Sequence, residues 1–287
     1  MELIQLLEHS MPLFLFATGI LGLVVGSFLN VVIHRLPVIM ERTWLHELRE
    51  QQGEDKPADV SEPAYNLVTP ASACPQCGHR ITAAENIPLL SFLILRGRCA
   101  GCSKRIPVRY PLVELVTAVL SVIVAVRFGF SVQTLAALAF TWALVPLFMI
   151  DFDHQLLPDS ITLPLLWGGL LLSLPEVFVD STTSIIGAAA GYLSLWMIYH
   201  LFRLVTGKEG MGYGDFKLLG AIGAWVGWQA LPVVVLFSSL VGAVLGIGLI
   251  LFRGRDHNQP MPFGPFLAAA GWLTLLWGND IIAFYLR

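Results

Sequence analysis

The sequence predicts an all-α polytopic membrane protein of about eight transmembrane helices, with a small cytoplasmic zinc-binding domain between the first and second spans. Of the 287 residues, 56% are hydrophobic and 13% are charged, and the mean hydropathy is +0.72. Soluble domains carry about 25% charged residues, so this composition excludes an ordinary soluble protein. Two further observations support the fold class: apolar runs of membrane-spanning length, and one long polar segment that contains every cysteine.

The apolar runs define the organisation of the chain, because a helix needs about 20 apolar residues to cross a hydrocarbon core of about 30 Å. We divide the chain into a first transmembrane helix at 1–33, a cytoplasmic domain at 34–110 and a seven-helix membrane domain at 111–287. We expect the first run to remain as a span, since no basic start or cleavage site of a signal peptide accompanies it. The runs are 11–33, 111–126, 132–150, 161–178, 184–203, 216–228, 231–252 and 264–284, of which 216–228 is the shortest.

The distribution of basic residues predicts the orientation of these spans. If both termini lie on the periplasmic side, 15 of the 17 lysines and arginines fall in or beside the inner segments, and only Arg127 and Arg287 do not. The positive-inside rule therefore places segments 34–110, 151–160, 204–215 and 253–263 in the cytoplasm. The net charge of −3 gives no indication of a nucleic-acid partner; the expected partner is the lipid bilayer.

The four cysteines form two Cys-x-x-Cys pairs, Cys74/Cys77 and Cys99/Cys102, separated by 21 residues. Two such pairs can place four thiolates tetrahedrally around one Zn²⁺, and we expect Gly78 and Gly101 to supply the tight turns. Two disulfides or a redox pair are the alternatives, but a cytoplasmic segment is reducing. The pattern therefore predicts one structural zinc ion, with the nearby His79 as a surface residue.

Two acidic clusters lie where apolar runs meet the predicted cytoplasmic side. Asp215 follows 212–214, Gly-Tyr-Gly, and a second cluster of Asp151, Asp153 and Asp159 separates the third and fourth runs. Two carboxyl groups that share a proton can hydrolyse a peptide, because one activates water while the other donates to the carbonyl. Asp215 could instead act only as a helix N-cap. As its partner, position favours Asp151, with Asp153 open and Asp159 placed to cap the fourth span.

These motifs together resemble those of the bacterial type IV prepilin peptidases, bifunctional leader peptidase/N-methyltransferases of the Gly-x-Gly-Asp membrane aspartic proteases. The resemblance covers nearly the whole chain. Its residues are Gly26-Ser27-Phe28-Leu29-Asn30-Val31-Val32-Ile33-His34-Arg35-Leu36-Pro37, both cysteine pairs, Arg109-Tyr110-Pro111-Leu112-Val113-Glu114-Leu115, Ile150-Asp151 through Leu157-Pro158-Asp159, Lys208 through Lys217, and Pro262-Phe263-Gly264-Pro265.

The resemblance implies that Asp151 and Asp215 are the catalytic pair of a peptidase in the bacterial inner membrane, with its active site facing the cytoplasm. It implies cleavage of the leader from prepilins and type II secretion pseudopilins, followed by N-methylation with S-adenosylmethionine. We expect the methyltransferase site in the cytoplasmic domain and the Asn30–Pro37 segment. Glu114, an acid within the second run, could orient a substrate amine or sit at the interface near Arg109.

Two other function classes fit parts of the pattern. A proton-coupled transporter could use the two aspartates as a relay, but the Gly-Tyr-Gly turn and the boundary position favour hydrolysis. A membrane methyltransferase without peptidase activity would leave the paired aspartates unexplained. The oligomeric state does not follow from the sequence.

Overall fold

The apolar runs fold into helices, as the composition requires for a chain that must satisfy its backbone within a bilayer. The computed structural model of the protein describes residues 2–52, 65–208, 210–253 and 262–285, and these contain ten α-helices and no β-strand beyond isolated bridges. Lys56, Glu209, Arg255 and Arg287 lie outside the described residues. The helices are α1 Glu2–His9, α2 Met11–Gln51, α3 Leu90–Ile94, α4 Arg109–Phe128, α5 Val132–His154, α6 Asp159–Leu172, α7 Ser181–Thr206, α8 Tyr213–Val226, α9 Leu231–Arg253 and α10 Gly264–Tyr285.

The predicted all-α fold is confirmed, and each of the eight apolar runs overlaps one of these helices. Five segments are long and apolar enough to cross a bilayer: α2, α4, α5, α7 and the stretch Trp228–Gly248 that contains most of α9. The protein is therefore a multi-pass membrane protein. The apolar helix α6 and the stretch Gly264–Gly278 of α10 are shorter, so the count of eight complete spans stays a prediction.

Two helix ends differ from the sequence prediction. The helix α2 continues to Gln51, well past the predicted end of the first span at residue 33, with Pro37 inside it. The helix α6 ends at Leu172 although its apolar run extends to 178. Pro175 explains this early end, because its ring prevents continuation of the helix and the residue before it avoids helical geometry. The 14 residues of α6 rise only about 21 Å.

The chain forms two compact units, Met1–Ile123 and Val124–Arg287. In the first unit, α2 packs against α4 through residues spaced four apart on one face. A Cβ at Gly22 would lie 2.7 Å from the Ala118 Cα, and one at Gly26 would lie 2.8 Å from the Glu114 Cα. One turn further, the Asn30 amide donates a hydrogen bond of 3.0 Å to the Tyr110 carbonyl. Small residues at this spacing allow two membrane helices to approach closely.

In the second unit, α8 is the most enclosed helix and packs mainly against α7, and also against α6 and α10. Its side chains from Leu218 to Trp225 are all buried. The close approach of α7 depends on glycines, since Gly187 and Gly223 meet with no room for a Cβ on either. The Trp225 indole N–H donates to the Leu165 carbonyl at 2.8 Å and so connects α8 to α6. This packing fixes the position of the first turn of α8.

Candidate active site and metal centre

Asp151 lies in the last turn of α5 and is 5% exposed. Its backbone carbonyl accepts a hydrogen bond of 2.9 Å from the N–H of Gln155, the C-cap residue, which has a left-handed conformation with φ 55°. This turn ends the helix one residue after Asp153. The side chain of Asp151 is therefore held at the end of a span rather than within it.

Asp215 lies in the first turn of α8 and is 7% exposed. The helix begins at Tyr213 with Gly212 as its N-cap, so the alternative that Asp215 is itself the N-cap is wrong. Asp215 occupies the third helical position, and its carboxyl group accepts from the backbone N–H of Gly212. An acid at this position satisfies a free N–H of the first turn, as in a capping box. The glycine turn thus orients the carboxylate as well as starting the helix.

The fold brings the carboxyl groups of Asp151 and Asp215 into electrostatic range of each other. Leu157, in the connection between α5 and α6, packs against the first residues of both α8 and α10. A Cβ at Gly214 would lie 2.8 Å from the Leu157 Cβ, and one at Gly264 would lie 3.1 Å from its Cδ1. The ends of α5, α8 and α10 therefore meet around the two acids and a single leucine.

Gly264, the first residue of α10, packs directly on the Asp151 carboxylate. A Cβ at this position would lie 2.6 Å from Oδ2 of Asp151 and 3.0 Å from its Cγ, and the backbone N–H of Gly264 faces the same carboxyl group. The buried Oδ2 accepts no hydrogen bond from the described residues. An oxygen that is buried without a partner is costly unless a ligand or water uses it. Gly264 belongs to one of the motifs shared with the family, but nothing in the sequence indicates this contact with Asp151.

The other two acids of the cluster do not join the pair. Asp153 is exposed. Asp159 is the first residue of α6, whose N-cap is Pro158, so the expectation that Asp159 caps this helix is wrong. Its carboxylate instead accepts two hydrogen bonds of 2.7 and 2.8 Å from the Nζ of Lys217. Lys217 lies two residues after Asp215, and this ion pair connects the first turns of α6 and α8.

In the first unit, the four cysteine sulfurs come together as the spacing predicts. The Sγ atoms of Cys74 and Cys102 are 3.9 Å apart, as are those of Cys77 and Cys99, and all four lie within 4.8 Å of one another. The cluster can therefore hold a metal ion.

The two cysteine turns share one backbone pattern. The N–H of Gly78 donates to the Cys74 carbonyl and the N–H of Ser103 donates to the Cys99 carbonyl, each at 2.9 Å. Gly78 and Ser103 both have positive φ, at 70° and 56°, so the turn role predicted for Gly101 belongs to Ser103. Gly101 instead donates its N–H to the Cys99 Sγ at 3.4 Å and leaves no room for a Cβ beside His79.

His79 supports the cysteine cluster from outside it. Its Nε2 lies 3.1 Å from Oε1 of Glu85, and the N–H of Thr82 donates to the other oxygen of the same carboxylate at 2.8 Å. These hydrogen bonds, first that of Thr82 and then that of His79, hold the pKa of Glu85 below its ordinary value. His79 thus fixes the first cysteine turn to the 3₁₀ turn at Ala84–Asn86.

Arg35 and Glu114, two polar residues of the first unit, form hydrogen bonds within that unit. The Arg35 guanidinium donates to the carbonyls of Asn66 and Pro70 at 2.9 and 2.7 Å. The buried carboxylate of Glu114 accepts the backbone N–H of Leu89 at 2.9 Å, and Leu89 precedes α3 with φ 57°. Glu114 therefore holds the apolar segment around α3 on α4, a role that its sequence position alone did not indicate.

Comparison with known proteins agrees with these features. The bacterial peptidase A24 N-terminal domain matches residues 20–128, and the type IV leader peptidase family matches residues 138–247. No solved structure matches the chain. Among its relatives, a protein of Aeromonas hydrophila is 59% identical over 287 residues, covering 100% of this chain and 99% of its own. One of Pseudomonas aeruginosa is 54% identical over 288 residues, covering 100% and 98%.

A third relative, from Dichelobacter nodosus, is 52% identical over 272 residues and covers 94% of each chain. All three proteins are named prepilin leader peptidase/N-methyltransferase. The identities are high over the full length, and both family models lie in the order that the sequence motifs predict. The chain belongs to the type IV leader peptidase family and is an enzyme.

Proposed function

We propose that this protein is a membrane aspartic endopeptidase that removes the leader of type IV prepilins and type II secretion pseudopilins, with Asp151 and Asp215 as its catalytic pair. The observation that carries the proposal is the meeting of two buried carboxyl groups from different helices, at the ends of α5 and α8. Residues 111–287 would form the peptidase domain. The names of the relatives support the substrate class.

In the proposed reaction, the two carboxyl groups share one proton. The ionised aspartate takes a proton from water, which attacks the scissile carbonyl, while the protonated aspartate donates to the carbonyl oxygen. No covalent intermediate with the enzyme is needed. Nothing in the described part of the chain donates to the Asp151 Oδ2, so this oxygen can take part in such an exchange, and the backbone N–H of Gly264 faces the same carboxyl group.

The distribution of basic residues supports an inner-membrane protein with both termini in the periplasm and the catalytic pair facing the cytoplasm. Fusions of a periplasm-active and a cytoplasm-active reporter at residue 153 and at the N-terminus test this orientation. We expect cytoplasmic activity at residue 153 and periplasmic activity at the N-terminus.

We further propose that residues 34–110 form a domain that holds one structural zinc ion through Cys74, Cys77, Cys99 and Cys102. Tetrahedral Zn–S bonds of about 2.3 Å place the sulfurs about 3.8 Å apart, and the two closest pairs are separated by 3.9 Å. Four thiolate ligands leave no open position for catalysis. The zinc would therefore stabilise the domain.

We also propose that the protein methylates the new N-terminus after cleavage, with S-adenosylmethionine as the methyl donor. The names of the relatives, which include N-methyltransferase, support this second activity. The experiment combines both activities: purified enzyme is incubated with a prepilin and S-adenosylmethionine, and mass spectrometry follows loss of the leader and gain of one methyl group. A transporter would give neither change, and a methyltransferase alone would methylate only a pilin that was already cleaved.

Asp151→Asn and Asp215→Asn test the catalytic pair, because an amide can neither activate water nor share the proton. We expect each to abolish leader removal, a loss of at least about 10³-fold, while methylation of an already cleaved pilin continues. Asp153→Asn changes an exposed acid two residues from Asp151 and serves as the matched control. Cleavage by either single variant at the rate of the control removes that aspartate from the pair.

A further inference from the structure

An apolar groove lies between α9 and α10 of the second unit, close to the candidate active site. It encloses about 270 Å³. The helix α9 contributes three small residues spaced i, i+3 and i+4, so they lie on one face, and the start of α10 contributes two phenylalanines and a proline. The lining residues are Ser239, Gly242, Ala243, Pro262, Phe263 and Phe266.

The groove exposes small residues of the kind through which membrane helices pack together. Ser239 and Ala243 are exposed, and the Phe266 ring forms the floor, with Cδ2 3.2 Å from the Cβ position of Gly242. Large side chains on the same helix, Leu240 at 62% and Val244 at 61% exposure, point away from the groove. Without a hydrophobic driving force in lipid, helices associate where small residues let their backbones approach.

One lining residue of the groove is the chain neighbour of a residue that contacts Asp151. Phe263 lines the groove, and the next residue, Gly264, packs on the Asp151 carboxylate. Consecutive Cα atoms are about 3.8 Å apart, so the backbone of this lining residue is one residue away from the glycine that contacts Asp151. A segment bound along α9 and Phe266 would therefore have its adjoining peptide bond near Asp151.

We propose that this groove binds the apolar helix of the substrate, beside the peptide bond that is cleaved. The occupant must be apolar and helical, because the lining offers no charged side chain and the flanking α9 belongs to a membrane-spanning segment. A helix in lipid also satisfies its own backbone hydrogen bonds. This inference rests on the proposed peptidase function and assigns a substrate-binding site to it.

Variants whose larger side chains fill the groove test the proposal, because they should raise KM for the substrate. Ser239→Phe and Ala243→Phe place a ring where the substrate helix would lie, and we expect KM for the prepilin to rise about tenfold or more while kcat changes less than about threefold. Leu240→Phe enlarges an exposed residue of the same helix outside the groove and should leave both constants unchanged. A retained kcat also shows that the variants fold. Unchanged KM in both groove variants overturns the proposal.

Photocrosslinking identifies the occupant. A benzophenone amino acid replaces Phe266 in the Asp215→Asn background, so that the prepilin stays uncleaved, and the same probe at Val244 is the control. We expect adducts at Phe266 that map to the apolar segment of the prepilin, and at most a trace at Val244. Adducts with lipid alone, or with a second copy of this chain, overturn the proposal.

Different results would contradict the proposed peptidase function and the assignment of the groove. If the unmodified enzyme does not remove the leader, the proposed function is wrong. If the unmodified enzyme cleaves normally but the groove variants keep their KM and the Phe266 probe misses the prepilin, only the groove assignment is wrong.

Discussion

Gly264→Ala is the most direct test of how the structure positions Asp151. The added methyl group would lie 2.6 Å from Oδ2 and 3.0 Å from Cγ of Asp151, whereas ordinary contacts begin at about 3.4 Å. The carboxylate or the start of α10 must therefore shift by about 0.8 Å. Because a misplacement of 1 Å can cost about 10²-fold in rate, we expect kcat for leader removal to fall about 10²-fold, or about 2.7 kcal/mol.

The assay compares kcat and KM for leader removal with methylation of a pilin that is already cleaved. A shift of Asp151 lowers kcat but leaves KM and methylation close to those of the unmodified enzyme. The matched control is Gly271→Ala on the same helix, whose new Cβ would meet a similar overlap with the buried Ile222, at 2.7 Å from its Cδ1 and 2.9 Å from its Cγ1. A kcat for Gly264→Ala equal to that of this control would refute the reasoning.

Three further predictions concern the surroundings of the two sites. Lys217→Met or Asp159→Asn removes a partly exposed ion pair of 2.7 Å and should lower the free energy of unfolding by about 0.2–1 kcal/mol. Thermal melting in detergent measures this loss, and a double variant that exchanges the lysine and the aspartate should restore part of it. Cys77→Ser removes one of the four ligands, so elemental analysis should find less than one zinc per chain, while a full complement would exclude the cluster as the zinc site. Glu114→Leu leaves the partly buried N–H of Leu89 without its acceptor and should cost about 1 kcal/mol, whereas Glu114→Gln keeps an acceptor oxygen and should melt close to the unmodified protein.

The sequence predicts most of the helices because a chain in lipid must bury every backbone polar group within helices or a closed barrel. The exceptions have local causes. Pro175 ends α6 before its apolar run ends, and α2 continues through the polar residues after 33 because nothing in 34–51 stops a helix except Pro37, which α2 accommodates. Apolar periodicity locates helices well, but it does not locate their polar extensions.

The sequence by itself determined the fold class, the cysteine cluster and the family, since composition, spacing and local motifs are properties of neighbouring residues. It also indicated Asp215 and, through the resemblance, Asp151. Only the tertiary structure decided that α5 ends, and α8 and α10 begin, around Leu157, that Gly264 lies against Asp151, and that Lys217 pairs with Asp159. These contacts join residues 57 to 113 positions apart along the chain, and such separations are set by the packing of whole helices rather than by any local pattern.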